Sequence, residues 1–535
     1  MQEATYGKLD SGYEFMNARN LWSQVRTGTL RAGGLPISSL MRDLAPKLVL
    51  PVILSVAFAT YASTLTAWFQ ADDFWFLQAS QTASSSWDYI VTALDFRDRG
   101  PFADPPTVFQ PDSPNYRPFY TLSFFGLFQV LEIQAWGYHL WNIVMHISAT
   151  VLVWLIARKI TQRSLIAHGA ALLFALHPAY ALTVAWIANG NPLMANLASM
   201  AALWLFLKHL DGGRRHYLCY GGSLLLLTAA LLTHPETIII VVMIVLTYGL
   251  VYARTLREPP AVRTWLELTP FLLLAIASMG IQNWVRDESG ILQNTYSFGP
   301  HMYDNILRFM ALSVYPIDAE QGTEYSWQHA IASVGMLLAT IGLLTSQRRQ
   351  PYPALFIIIW FYLSLITLSV SPTVGAPGRK LYAAGPSLAM VLAMLAVAVW
   401  DARPQRFEAL SQLTAAVLVL LLVLGLSVGA SQAARKADQY SLSIKHLVDE
   451  FREAYPNQLP EDSRVFMAGV PWQLRTNRAQ VRIAIQLYYG ADVAVHAAWT
   501  EEELRARFPN MGTRETDVFF HCTDCNQIPL DLSGP

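Results

Sequence analysis

From Leu48 to Gln70 the chain runs 23 residues without a charged side chain. At 1.5 Å per helical residue, that run is long enough to cross the roughly 30 Å hydrocarbon core of a bilayer. Similar stretches recur, so the spacing of charges predicts eleven spans. They are 48–68, 138–157, 165–182, 193–207, 217–234, 236–253, 268–285, 327–346, 351–370, 381–400 and 410–430. Without water, backbone groups in lipid must pair within their own segment, which leaves a helix bundle as the expected architecture. Charged residues make up only 14% of the chain, against about 25% in soluble domains. The formal net charge of -1 gives no reason to expect nucleic acid as a partner. Two further apolar pieces are expected to lie at the interface rather than span. Residues 119–131 are too few, and 304–317 carries Asp304 and Arg308.

Basic residues set the expected orientation. With the polar segment 1–47 placed in the cytoplasm, alternate crossings put five successive basic loops on that same side. They contain Arg158 and Lys159, Lys208 and Arg215, Arg254 and Arg257, Arg348 and Arg349, and Arg403 and Arg406. No apolar run near residue 1 reads as a cleaved leader. An odd number of spans then exports the C-terminus. The expected division is a tail at 1–47, a membrane domain at 48–430 with an outer loop at 70–137, and an extracytoplasmic α/β domain at 431–535. In the last, 464–469 and 492–499 read as strands and 477–489 as a helix. Cys522 and Cys525 would meet an oxidising space there. A local disulfide, free thiols and half of a metal site all fit that spacing.

Unusual residues gather on the expected outer side. Asp72 and Asp73 follow the first span directly, where they either end a helix or do chemistry. Arg117 precedes Pro118 at a helix start, a place that suits an anion as well as a solvated cation. His139, Asn142 and His146 share one helix face, as interhelical contacts or as a cavity lining. His177-Pro178 closes the third span, Asn189 opens the fourth, and His234-Pro235-Glu236 separates the fifth from the sixth. Glu236 is the sole acid between Asp211 and Glu258. Arg379 and Lys380 stand before the tenth span, against the inside bias of basic residues. Phosphate binding at the outer leaflet accounts for them, as does interfacial snorkelling. Breaks at span ends rather than at the midplane favour a surface enzyme over a transporter.

Several segments resemble the C-type, polyprenyl-phosphate-sugar-dependent membrane glycosyltransferases. They are ADDFWFLQAS (71–80), NYRPFYTLSFFGLF (115–128), the stretch 136–159, the stretch 171–207, LLTHPETIII (231–240) and GRKLYAAGPSLAMVLAML (378–395). Within that class they look most like the protein O-mannosyltransferases and the tetratricopeptide-bearing transmembrane mannosyltransferases. The resemblance covers about 48–430. It departs at His234-Pro235, where the tetratricopeptide-bearing enzymes tend to have Ser-Lys, and in 431–535, which shows no helix-pair repeat. It implies an all-α polytopic fold of the C-type class with about 11 transmembrane helices. It also implies inverting transfer of a sugar, with mannose as one candidate, from a polyprenyl-phosphate donor to a hydroxyl on a protein, glycan or lipid. Asp72, with Asp73 next, takes the catalytic role. Glu236 takes that of the family's acid after the fifth span, and Arg379 with Tyr382 that of an arginine–tyrosine pair near the lipid phosphate. His139, His177, Asn189, His234, Lys380 and Arg117 complete the expected substrate-binding set. A divalent metal at Asp72 and Asp73 is compatible but not required. The expected location is a prokaryotic plasma membrane. A flippase for a lipid-linked solute and a non-catalytic scaffold are the rival readings.

Overall fold

The computed structural model describes residues 31–32, 35–95, 116–212, 215–252, 262–289, 297–314, 327–348, 351–371, 377–402, 408–460, 462–470, 478–490, 493–498 and 500–522. The tail before 31, the centre of the first long loop (96–115), parts of four expected basic loops and Cys525 lie outside these.

The chain divides into two units, Met1–Ile53 and Leu54–Pro535. The first contains a two-residue antiparallel pair, β1 (Arg31–Ala32) and β2 (Leu35–Pro36), and the start of α1 (Ile37–Tyr61).

The second unit continues α1 and then turns through Gln70–Asp72 into two short helices, α2 (Asp73–Gln81) and α3 (Ser86–Leu94). Next come α4 (Pro118–Leu131), α5 (Ala135–Thr161), α6 (Ser164–Leu176), α7 (Ala181–Ala185) and α8 (Gly190–Leu210). The bundle goes on with α9 (His216–Leu231), α10 (Ile239–Leu246), α11 (Val262–Ser289), α12 (His301–Leu312), α13 (Trp327–Ser346) and α14 (Tyr352–Ser369). It closes with α15 (Pro377–Leu381), α16 (Gly385–Asp401) and the 47-residue α17 (Glu408–Ala454).

Among the described residues, nine helices are long and apolar enough to cross a membrane, and a bent pair makes a tenth. The chain is therefore an integral, multi-pass membrane protein. Val417, Leu418, Leu420 and Leu421 on α17 are 47–61% exposed, a surface suited to lipid rather than water. Two expected spans take a different form. The third is broken: α6 stops at Leu176, and the chain resumes after His177-Pro178 bent by 48°. Pro178 has no N–H to continue the ladder, and the residue before a proline is pushed to extended backbone, here ψ 120° at His177. The fifth, α9, is 16 residues long and falls among the shorter apolar helices with α4. Inside the bundle, small residues bring helices close. A Cβ on Gly169 of α6 would stand 3.3 Å from Ala393 of α16.

α17 runs unbroken past the expected domain boundary at 430 and leads into the α/β part. That part consists of β3 (Arg464–Ala468), α18 (Arg478–Tyr489), β4 (Ala494–Ala497), α19 (Glu501–Arg507) and β5 (Asp517–His521). The sheet order is β4-β3-β5, parallel throughout, with Arg464 opposite both Ala494 and Asp517. The third strand, β5, was not legible in the sequence. Gly469 leaves β3 with φ 75°, and a Cβ there would fall 2.4 Å from the Cys522 carbonyl oxygen. Arg464 donates through Nε and Nη2 to the two oxygens of Asp517, both at 2.7 Å, which holds that carboxyl down at about 2.

This α/β part is not separate from the bundle. Its buried Ile485, together with Leu447 and Phe451 near the end of α17, belongs to one apolar cluster with Trp68, Phe74 and Leu77, the residues flanking the acidic pair. Gln78 Nε2 donates to Gln486 Oε1 at 3.2 Å, and Gln81 Nε2 donates to the Leu487 carbonyl at 3.1 Å.

Candidate active site

Five chain breaks meet at one place. The first is the turn Gln70–Asp72, which enters α2 through Ala71 at φ 47°. The second is Trp186–Asn189 between α7 and α8. Asp73 joins these two: its Oδ2 accepts from Gln70 N at 2.8 Å and its Oδ1 from Ala188 N at 2.6 Å. The third break, Tyr116–Pro118, is fixed from two sides. Gln282 of α11 accepts from Tyr116 N at 3.1 Å and donates to Tyr116 O at 2.7 Å. Tyr120 then donates to Ile187 O at 2.9 Å. The fourth break, Leu232–Glu236, meets the third through Phe119 N, which donates to Leu232 O at 3.3 Å. The fifth is α15. Its Arg379 carbonyl accepts from Thr183 Oγ1 at 3.4 Å, and its guanidinium lies over the Trp186 ring, 5.3 Å from the centroid.

These links assemble a charged group from residues 300 positions apart. Arg379 lies in the field of both Asp72 and Glu236. Lys380 lies in that of Glu236 and of Arg379. The Tyr120 hydroxyl feels Asp73, Arg117 and Asp72. His234 Nδ1 is 3.8 Å from Glu236 Oε2. Asp72, Arg117, His234, Glu236, Arg379 and Lys380 are thus joined in one series of through-space contacts.

The two aspartates differ. Asp73 is fully buried and both of its oxygens are occupied by backbone amides. Burial pushes its carboxyl well above the usual range, and the Gln70 and Ala188 amides pull it part of the way back. It ties the first two breaks together, as a positioning residue would. Asp72, partly exposed at the N-terminus of α2, is the one whose charge acts on Arg379. No cluster of three or more His, Cys, Asp or Glu suited to a metal occurs among the described residues.

Other expected site residues lie elsewhere. Tyr382 points away from the charges into the bundle core, and its hydroxyl is 3.1 Å from His146 Nδ1. His177 is spent on the backbone: Nδ1 accepts from Ala179 N at 3.3 Å and Nε2 donates to Ser313 O at 3.2 Å. His139 and Asn189 are buried, with both His139 ring nitrogens and Asn189 Nδ2 lacking a well-formed hydrogen bond. Cys522 is buried, and Cys525 lies outside the described residues. Sequence reasoning missed Trp186, Tyr120 and Gln282. Gln282 carried a usable signal, since a lone amide inside an apolar span ordinarily has a partner.

No family model matches the chain. Sequence relatives exist for part of it. One is a protein O-mannosyl-transferase of Caenorhabditis elegans, 33% identical over 100 residues, or 18% of this chain and 14% of that protein. Another is the protein O-mannosyl-transferase Tmtc1 of Drosophila melanogaster, 32% identical over 156 residues, or 29% of this chain and 18% of that one. Tmtc2 of the same fly is 28% identical over 175 residues, 32% and 18% of the two chains. The resemblance seen in the motifs is thus carried by relatives of the same class, although the matches span less than one fifth of each relative's length. All three are animal proteins and lend nothing to the expectation of a prokaryotic membrane. Two solved structures are similar at 13% identity. An Archaeoglobus fulgidus oligosaccharyltransferase tethered to an acceptor peptide has a TM-score of 0.45 over 87% of this chain and 65% of that one. ArnT from Cupriavidus metallidurans has 0.47 over 88% of each.

Proposed function

We propose that this chain is a membrane glycosyltransferase that moves a sugar from a polyprenyl-phosphate donor to an acceptor hydroxyl at the outer face of the membrane. The observation that carries this reading is that the Asp72 and Glu236 carboxylates both act on the Arg379 guanidinium through space, and Glu236 on Lys380 as well. A base and two cations in one place are what a phosphate-leaving displacement requires. The acceptor oxygen attacks the anomeric carbon and gives its proton to Asp72. The bond from that carbon to the phosphate oxygen breaks, and the electron pair leaves with the phosphate. Arg379 and Lys380 balance the charge that grows there. One displacement inverts the anomeric centre. Glu236 keeps the two cations from repelling each other before the donor arrives. Trp186 holds the guanidinium plane in place. Mannose is the sugar to test first, because the relatives are named for it. The acceptor is a hydroxyl on a protein, glycan or lipid.

The test uses purified full-length protein with a panel of polyprenyl-phosphate sugars and mass spectrometry of both products. Wild type should release polyprenyl phosphate, and Asp72→Asn should lose at least about a hundredfold in turnover, a typical loss for a general base. Near-normal turnover in Asp72→Asn would sink the base assignment. Movement of intact donor across a bilayer without cleavage would favour the flippase.

A further inference from the structure

The charges of α15 are held by a backbone that the site itself does not explain. Two residues past Lys380, Tyr382 is wholly buried, as is His146 in the middle of α5. The bonds of His146 can be assigned from chemistry. Its Nε2 lies 3.1 Å from the Ala175 carbonyl, which can only accept. Nε2 therefore carries the hydrogen, and Nδ1 of the neutral ring accepts from the Tyr382 hydroxyl at 3.1 Å. Neither nitrogen is left over. The Ala175 carbonyl needs this donor because the chain is broken nearby. Its helical partner would be Ala179 N, which donates instead to His177 Nδ1. The Tyr382 carbonyl is held in turn by Asn196 Nδ2 of α8 at 2.8 Å.

An imidazole is an expensive way to fill an apolar bundle. A phenyl ring would occupy the same space against Tyr61 and Phe174, whose rings lie 5.4 and 5.3 Å away. What a phenyl ring cannot supply is the pair of bonds. Those bonds end at the break in the third span and at the turn that carries Arg379.

We propose that His146 is a positioning residue for phosphate binding: by holding Tyr382 at the end of α15, it fixes where Arg379 and Lys380 present their charges. This rests on the reading of Arg379 as a phosphate ligand. A backbone held in advance loses little freedom when the phosphate binds, so loosening it weakens binding without touching the base.

Binding of undecaprenyl monophosphate to full-length protein in nanodiscs tests this, with steady-state donor kinetics alongside. Arg379→Ala sets the scale and should weaken binding most. His146→Phe and Tyr382→Phe should each raise Kd and donor KM about tenfold, the worth of one buried hydrogen bond. The double variant should be no worse than either single one, because both remove the same bond. The pH dependence of kcat should stay that of wild type. His146→Gln, which keeps a donor and an acceptor, should recover most of the affinity. Tyr382→Phe removes no packing volume, so it decides the matter even where His146→Phe folds poorly. Unchanged binding in Tyr382→Phe, with weakened binding in Arg379→Ala, overturns the role of His146 and leaves the phosphate site standing. Unchanged binding in Arg379→Ala overturns both.

Discussion

Ala71 stands at φ 47°, a left-handed backbone that costs a residue with a Cβ on the order of 1 kcal/mol. Strain of this kind persists only where the surroundings impose it. Here the Asp73 carboxyl imposes it by taking Gln70 N on one side and Ala188 N on the other. The same carboxyl gives a pH signature. Burial raises its folded pKa above the unfolded value of about 4. Between those two values the native state binds more protons than the unfolded chain, so stability falls as pH rises through that interval. Asp73→Asn should remove this slope. It should also lower the melting temperature at every pH, because an amide can accept only one of the two backbone bonds. Melting curves from pH 4 upward check this, and a variant with the wild-type slope contradicts it. The sequence ranked Asp72 ahead of Asp73 but gave no physical reason that separated them. Their difference arises from an amide 115 positions away.

At the scale of elements, α2 is clasped from both ends of the chain. Asp73 ties its start to the turn before α8, and Gln78 and Gln81 tie its exposed side to α18. Gln486 is central, since its Oε1 accepts from Gln78 while its Nε2 donates to Val493 O at 2.9 Å. The α/β part therefore holds the helix that begins at Asp72. Gln486→Ala should cost about 1 kcal/mol locally. Amide exchange in 74–81 should quicken roughly fivefold, while exchange in α16 stays as in wild type. Exchange in 74–81 that does not change would mean the clasp carries no weight. The strand at 464–468 and the helix at 478–489 were readable from their patterns. The contact with α2 was not, because each partner's sequence reads equally well as an amphipathic surface.

For the whole molecule, the open question is which side of the membrane the charged group occupies. The basic loops lead us to expect it outside, and the α/β part with it. Single cysteines at Ser84 and Glu502, in a background lacking the native three, should react with a membrane-impermeant maleimide in intact cells. One at Lys208 should react only after permeabilisation. The opposite pattern would invert the topology and move the proposed reaction to the cytoplasmic face. The break at His177 also belongs to this scale. A proline was visible in the sequence, but whether it kinked a span or ended one depended on the carbonyls of Ala175 and Ser313 finding histidine partners.

By itself the sequence determined that the chain lives in a membrane, roughly where it crosses, and which polar residues are too costly to be idle there. Those follow from transfer free energies, which act residue by residue and leave a pattern along the chain. Tertiary structure alone decided that the charge of Asp72 acts on Arg379 while the Asp73 carboxyl takes backbone amides, and that Tyr382 turns inward to His146 and not outward to the charges. Both choices depend on hydrogen bonds between segments more than a hundred residues apart, and such bonds leave no local periodicity to read.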